Sequence, residues 1–352
     1  MRRRVRYLLV AALALSSLVV AACSSDDGAD DGSMPVLFSS DMAMGLTTGN
    51  ANGTEDDPSD VDDSWAFALA ATHDELDVRG VVVTMGNNLV APEMTTAQAT
   101  VDAMGSDVPV VRGASVWLSV APLMNAVGEA LPRSCVNEGV EFMADELRET
   151  EDLTIIAIGP LTDVACLAMN FPDEAARIKE VVALVGSEPD KVLTLGDVTV
   201  RDFNYAMDPR AEQVVLESEI PFTAIMFEAS SSATIPTARI TALADGDNDR
   251  ARFFGEASTP YAEFWEQVIG PRKPLWDADV VWYLLRPDAY ECARAGYRLQ
   301  TGPPNSPATA PVTDWFSPRY TRTRQVTACS AFSGPAAIER FNAAVLTAVG
   351  GA

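Results

Sequence analysis

The chain has 352 residues, with 50 aspartates and glutamates against 25 lysines and arginines, for a formal net charge of −25 at pH 7. Such a surface repels phosphate backbones, which excludes nucleic acid as a natural partner and suits divalent cations and neutral ligands better. The length accommodates one large α/β domain or two small ones.

The first residues bear on the compartment. Arg2, Arg3, Arg4 and Arg6 precede an apolar run from Tyr7 to about Ala22. The run is too short and too unevenly flanked for a stable membrane span, and residues 1–22 read as a secretory signal. Val19-Val20-Ala21-Ala22-Cys23 resembles a bacterial lipobox, in which the cysteine is acylated and becomes the mature N-terminus. Cys23 is therefore the expected lipidation site, the alternative being an ordinary signal peptide with a chance cysteine. Residues 23–33 are polar and acidic and are expected to form a flexible tether. The expected location is extracytoplasmic, with membrane contact only through a lipid anchor on a bacterial membrane. The folded part is expected to be residues 34–352.

Met34–Ser39 is an apolar run suited to a buried strand, and the Gly-, Asn-, Thr- and Asp-rich stretch from Gly45 to Asp60 is loop chemistry. Ser64–Thr72 reads as a buried helix entered through Asp62 and Asp63. Arg79–Met85 is a second strand, Thr95–Met104 a helix and Val108–Val111 a third strand. A helix near Glu138–Thr150, a strand at Leu153–Ile158 and a helix from Leu161 continue the alternation. Strands at Val181–Val185 and Phe222–Phe227 flank a helix at Pro209–Glu217. Apolar strands alternating with helices predict a single α/β domain with a mostly parallel sheet covered on both faces. In such sheets ligands bind beyond the carboxyl ends of the strands.

Beyond Cys23 there are four cysteines, Cys135, Cys166, Cys292 and Cys329, without a C-x-x-C pair, and His73 is the sole histidine. That inventory argues against zinc. In an oxidising exterior the cysteines are expected to pair. Cys292–Cys329 would close the Pro- and Gly-rich segment between them and leave Cys135–Cys166, one of three possible connectivities.

The strand ends collect polar residues. Asp41 follows the first strand, with Asp60, Asp62 and Asp63 past the loop. Gly86-Asn87-Asn88 follows the second, and Gly159-Pro160-Leu161-Thr162-Asp163 the fourth. Asp202-Phe203-Asn204 and Trp276-Asp277 come later. Carboxylates and amides without a histidine or thiol point to a hard cation with oxygen ligands. Taken singly, each has a plainer role. The aspartates could cap the first helix, Gly86-Asn87 could be a turn, and Trp276 could pack in the core.

The order of these pieces resembles the inosine-uridine-preferring nucleoside hydrolase family along nearly all of residues 34–352. The family's opening aspartate motif corresponds to Ser39-Ser40-Asp41-Met42-Ala43-Met44-Gly45 and then, after an insertion within 42–59, to Asp60-Val61-Asp62-Asp63-Ser64-Trp65-Ala66-Phe67-Ala68-Leu69. Val81-Val82-Val83-Thr84-Met85-Gly86-Asn87 matches its second strand, and Ile155 to Asp163 its phrase ending in GPLTN. Asp202-Phe203-Asn204-Tyr205-Ala206-Met207-Asp208-Pro209 matches its EFN…DP segment. The resemblance implies a Rossmann-like nucleoside hydrolase fold and calcium-dependent cleavage of ribonucleosides to ribose and free base, in the service of salvage. It implies Ca²⁺ held by Asp41, Asp63, the backbone carbonyl of Ile158 and Asp277, with Asp41 also activating the metal-bound water. Asp62, Asn87, Asp202 and Asn204 would bind the sugar, and family members are often homo-oligomers.

The sequence departs from the family in three places. The opening motif is split by the insertion. Trp276 stands where the family often has a histidine that protonates the leaving base, and it could stack on that base instead. Asp202 replaces a glutamate, and Asp197 is the nearest counterpart of a further sugar-binding asparagine. The alternative reading is a ribose- or nucleoside-binding surface lipoprotein that keeps the calcium site with impaired catalysis.

Overall fold

The β-branched and aliphatic runs form their strands. In chain order these are β1 (Met34–Ser40), β2 (Leu76–Val83), β3 (Val110–Arg112), β4 (Thr154–Ala157), β5 (Glu180–Leu184), β6 (Thr194–Leu195), β7 (Val198–Thr199), β8 (Phe222–Ile225), β9 (Thr234–Pro236), β10 (Arg272–Pro274), β11 (Tyr290–Leu299), β12 (Asp314–Ser317) and β13 (Val326–Phe332). The computed structural model describes residues 32–47, 57–119, 134–199, 201–300, 314–320 and 324–350. The expected signal segment, Cys23, nearly all of the tether and residues 48–56 of the insertion lie outside the described residues. No helix among the described residues is long and apolar enough to cross a membrane.

Nine strands form one sheet in the order β12-β11-β13-β8-β5-β4-β1-β2-β3. From β3 to β13 every neighbouring pair is parallel, and β11 and β12 add an antiparallel edge. The alternation of side chains along each strand splits the core in two. Val36, Phe38, Val81, Val83 and Ile156 face one apolar layer. Leu37, Val82, Ile155 and Ala157 face the other. Both layers are buried, which is why these strands carry apolar residues at successive positions rather than at every second one.

The first layer is covered by the helix Asp62–Ala71, whose Phe67 ring meets Phe38 edge-on at 5.7 Å. The helices Asp249–Ile269, Ala278–Leu285 and Pro335–Ala348 join it there. Helices Glu138–Glu149, Thr162–Asn170 and Pro209–Glu217 cover the other face. The helix expected from Thr95 begins earlier, at Val90. Pro92 sits in its first turn, where a missing N–H is no defect.

Both expected disulfides are formed, Cys135–Cys166 and Cys292–Cys329. The second joins directly paired positions of β11 and β13. The chain order reverses at β1, whose neighbours are β2 on one side and β4 on the other. The loops leaving the carboxyl ends of β1 and β4 therefore diverge, opening the crevice in which such sheets bind ligands.

Candidate metal centre

Asp41 is the first residue past β1 and is buried. Two glycines make room for it. A Cβ on Gly86, past β2, would lie 1.9 Å from Asp41 Oδ2, and one on Gly159, past β4, would lie 2.9 Å from Asp41 Oδ1. The Asn87 backbone N–H donates to Asp41 Oδ2 at 2.8 Å, while Oδ1 has no hydrogen-bond partner.

Asp62 and Asp63 occupy the first turn of the helix Asp62–Ala71, where its dipole favours negative charge. They do not cap it. The cap residue is Val61, and the Asp63 carboxylate is used instead to tie the helix to β1. Asp63 Oδ1 accepts from Ser40 Oγ at 2.6 Å and from the Asp41 N–H at 3.2 Å. Its other oxygen accepts from Asn87 Nδ2 at 3.4 Å. Asp277 precedes the helix Ala278–Leu285, and its N–H donates to Asp62 Oδ2 at 3.4 Å. Asp62, Asp63 and Asp277 each present a carboxylate oxygen within 4.8 Å of the others, all buried.

The remaining expected residues divide. Asn87 is half-buried and bonded into the cluster. The Ile158 carbonyl faces Asn204, whose Nδ2 donates to it at 3.0 Å and to the Leu184 carbonyl at 3.3 Å. Asp202 lies apart from these carboxylates. It caps the helix Phe203–Met207 through the Tyr205 N–H and accepts from the Gly186 N–H at 2.6 Å. Asp197 is exposed on the turn of the β6–β7 hairpin and is not brought to the cluster. Trp276 is half-buried, and its Nε1 donates to Ser231 Oγ at 2.9 Å. His73 lies two residues past the end of the first helix, bonded through Nδ1 to the Leu69 carbonyl at 2.7 Å.

Two charged residues of this centre escaped the sequence. Glu93, in the helix Val90–Ala103, is fully buried, and its Oε1 accepts from the Asn88 N–H at 2.6 Å while Oε2 is unpartnered. Lys273, in β10, is fully buried with no hydrogen-bond partner for Nζ. Its ammonium lies 3.3 Å from the Trp276 ring centre, 4.8 Å from Tyr261 and 5.1 Å from Trp265, an aromatic cage for a cation. Glutamate is ordinary on a helix, and lysine between Arg272 and Pro274 looks solvent-facing. The aromatic residues Tyr261, Trp265 and Trp276 were the one signal for the cage.

The electrostatics are those of carboxyls held together out of water. Burial, then the charges of Asp63 and Glu93, push Asp41 well above the usual carboxylate range. Burial and Asp60 do the same to Asp62, and burial with Asp62, Asp63 and Asp41 does so to Asp277. Burial lifts Asp63 to about 6 and Glu93 to about 9. Asp60 goes the other way, because the Lys273 charge and its hydrogen-bonding neighbours outweigh its burial. An all-oxygen carboxylate set suits a hard divalent cation, which would offset the repulsion among the carboxylates.

A pH dependence of stability follows. A carboxyl whose pKa is raised on folding binds its proton more tightly in the folded state, so its contribution is present below the unfolded pKa and lost as pH rises through the folded one. For Asp63 that window runs from 3.8 to about 6, and for Glu93 from 4.5 to about 9. The metal-free protein is expected to show a falling Tm across this range. Saturating calcium should flatten or reverse the trend, as read by thermal unfolding with chelator or calcium present.

The family profile described as "Inosine-uridine preferring nucleoside hydrolase" matches residues 54–337. Asp41 lies ahead of that match, on the far side of the insertion. The pyrimidine-specific ribonucleoside hydrolase RihA of Escherichia coli O1:K1 / APEC is 28% identical over 272 residues, covering 68% of this chain and 81% of RihA. Among solved structures, a purine-preferring ribonucleoside hydrolase from Gardnerella vaginalis superposes with a TM-score of 0.68 at 18% identity, over 90% of this chain and 99% of its own. A plant nucleoside hydrolase, PpNRh1, gives 0.69 at 17% identity, over 90% of this chain and 98% of its own.

Proposed function

The chain belongs to the inosine-uridine preferring nucleoside hydrolase family, and from that membership we propose that it hydrolyses the N-glycosidic bond of ribonucleosides with calcium in the Asp41–Asp63–Asp277 centre. The observation that carries this reading is the meeting of the Asp62, Asp63 and Asp277 carboxylates out of water, with Asp41 tied to Asp63 through its own N–H and keeping one buried oxygen without a hydrogen-bond partner.

In this reading Asp41, Asp63, Asp277 and the Ile158 carbonyl hold the ion. Calcium, when bound, orders the ribose hydroxyls and the attacking water and makes that water more acidic. Asp41 Oδ1 takes the water's proton, since Oδ2 is committed to the Asn87 N–H. Asp62 binds a ribose hydroxyl beside the ion, and Asn87 and Asn204 hold the rest of the sugar. The carboxylates favour the positive charge that develops on the sugar as the bond to the base breaks. Asp202 and Asp197 are left out of this set, the first because its carboxylate belongs to a separate cluster, the second because it is exposed. One face of Trp276 is covered by Lys273, so a departing base has only the other to stack on.

We further propose that residues 34–352 form the catalytic domain and that Cys23 carries a lipid anchoring it outside the cytoplasm, where it serves nucleoside salvage. The test is release of reducing sugar from a panel of purine and pyrimidine nucleosides in the presence of calcium. Release that chelator abolishes is the expected result. Saturable nucleoside binding without release from any of them would replace this reading by the binding-lipoprotein one, which the tryptophan at 276 favours.

A further inference from the structure

Asp202, Glu212 and Asp314 meet on the other side of the Asn204 turn. Asp202 caps the helix Phe203–Met207, Glu212 is in the first turn of the helix Pro209–Glu217, and Asp314 opens the edge strand β12. Each presents a carboxylate oxygen within 4.8 Å of the others, and all three side chains are at most 1% exposed. We propose that these three carboxylates form a second cation site, taking a hard divalent ion of calcium's class.

Three observations carry the proposal beyond an acidic cluster. First, Glu212 and Asp314 find no hydrogen-bond donor outside the cluster, their close polar neighbours being one another, Asp202 and the Asp314 N–H, whereas buried polar atoms are ordinarily satisfied. Second, the Tyr205 hydroxyl, also fully buried, faces the same group. It makes no hydrogen bond, although the Gln300 amide is near enough to favour its ionised form, and after burial it is the charges of Glu212, Asp314 and Asp202 that hold its proton on. Third, no compensating cation stands beside them among the described residues. At the first centre Lys273 offsets part of the charge, but among the described residues no lysine or arginine pairs with Asp202, Glu212 or Asp314.

Buried charges without a partner are costly, so the group must be neutralised by protons or by an ion. Three carboxylates, with no nitrogen or sulfur donor among them, are the kind of set calcium prefers. Gly186 supports the geometry. Its φ is +83°, its N–H donates to Asp202, and a Cβ there would lie 2.4 Å from the Phe316 ring and 3.4 Å from Asp314 Oδ2. A side chain at 186 would displace β12 and with it the third carboxylate.

Equilibrium dialysis of the chelator-stripped full-length protein against labelled calcium, at about 1 mM free ion, in the range of weak extracellular sites, tests this. Two ions per wild-type chain are expected, one for Asp63→Asn, and one for either Glu212→Gln or Asp314→Asn. A single wild-type ion that Asp63→Asn removes and that Glu212→Gln and Asp314→Asn leave in place overturns the second site and assigns the cluster to shared protons. Calcium should also raise the Tm of Asp63→Asn, in which the first centre is disabled, and that rise should vanish when Asp314→Asn is added. No rise in Asp63→Asn overturns the proposal. An Asp63→Asn protein that keeps full activity and both ions would instead defeat the calcium reading of the first centre, so the two failures are distinguishable.

Discussion

Asparagine in place of Asp41 is expected to lower kcat for nucleoside cleavage by about 10³-fold, within the range that a positioned general base contributes. The substitution is nearly isosteric, so the space left by Gly86 and Gly159 still accommodates it and the Asn87 N–H keeps an oxygen to donate to. What is lost is the basic lone pair at Oδ1 and one negative charge facing Asp63, Glu93 and Asp277. The same loss relieves repulsion in the metal-free protein, so its Tm at neutral pH should rise while activity collapses. Stability and function thus move in opposite directions, the pattern of a site whose charge is held together for use. Steady-state kinetics and thermal unfolding on the same preparation check both halves. A variant with wild-type kcat would remove Asp41 from the reaction.

The parts of this molecule that were legible in the sequence are those in which spacing and chemistry coincide. Val81, Val82 and Val83 announce a strand buried on both faces, and the structure distributes them to both apolar layers. Asp41, Asp62, Asp63 and Asp277 lie where strands end or helices begin, and parallel sheets gather such positions at one edge. Glu93 and Lys273 were not legible because nothing local distinguishes a buried charge from a solvated one. Their burial is decided by which helix face meets the loop after β2, and by three rings brought together from residues 261, 265 and 276. Asp202 shows the opposite failure. Its motif was readable, but the direction of its side chain depends on the Gly186 N–H and on β12, which are remote in sequence. Helix boundaries slipped for a local reason, Pro92 being tolerated in a first turn rather than ending a helix.

Lys273→Met is expected to move the acid limb of calcium binding at the first centre to higher pH by about 1–2 units. Its ammonium favours the ionised forms of Asp60, Asp62 and the proposed ligand Asp277, and is held among Tyr261, Trp265 and Trp276 without a hydrogen bond. An opposite charge close beside a carboxyl typically lowers its pKa by about 1–3 units. A cation beside a carboxyl favours its ionised form, so removing it raises the pKa, and calcium must then compete with protons up to a higher pH. Above that limb the sign reverses. The ion no longer shares the cluster with a fixed positive charge, and its affinity should exceed that of the wild type. Methionine is flexible and polarisable enough to occupy the aromatic cage, so the variant is expected to fold. Calcium titrations across pH on both proteins read the limb and the plateau separately. Superimposable profiles would show that the lysine only fills space, whereas crossing profiles would identify it as the internal cation that holds these carboxylates together until the metal binds.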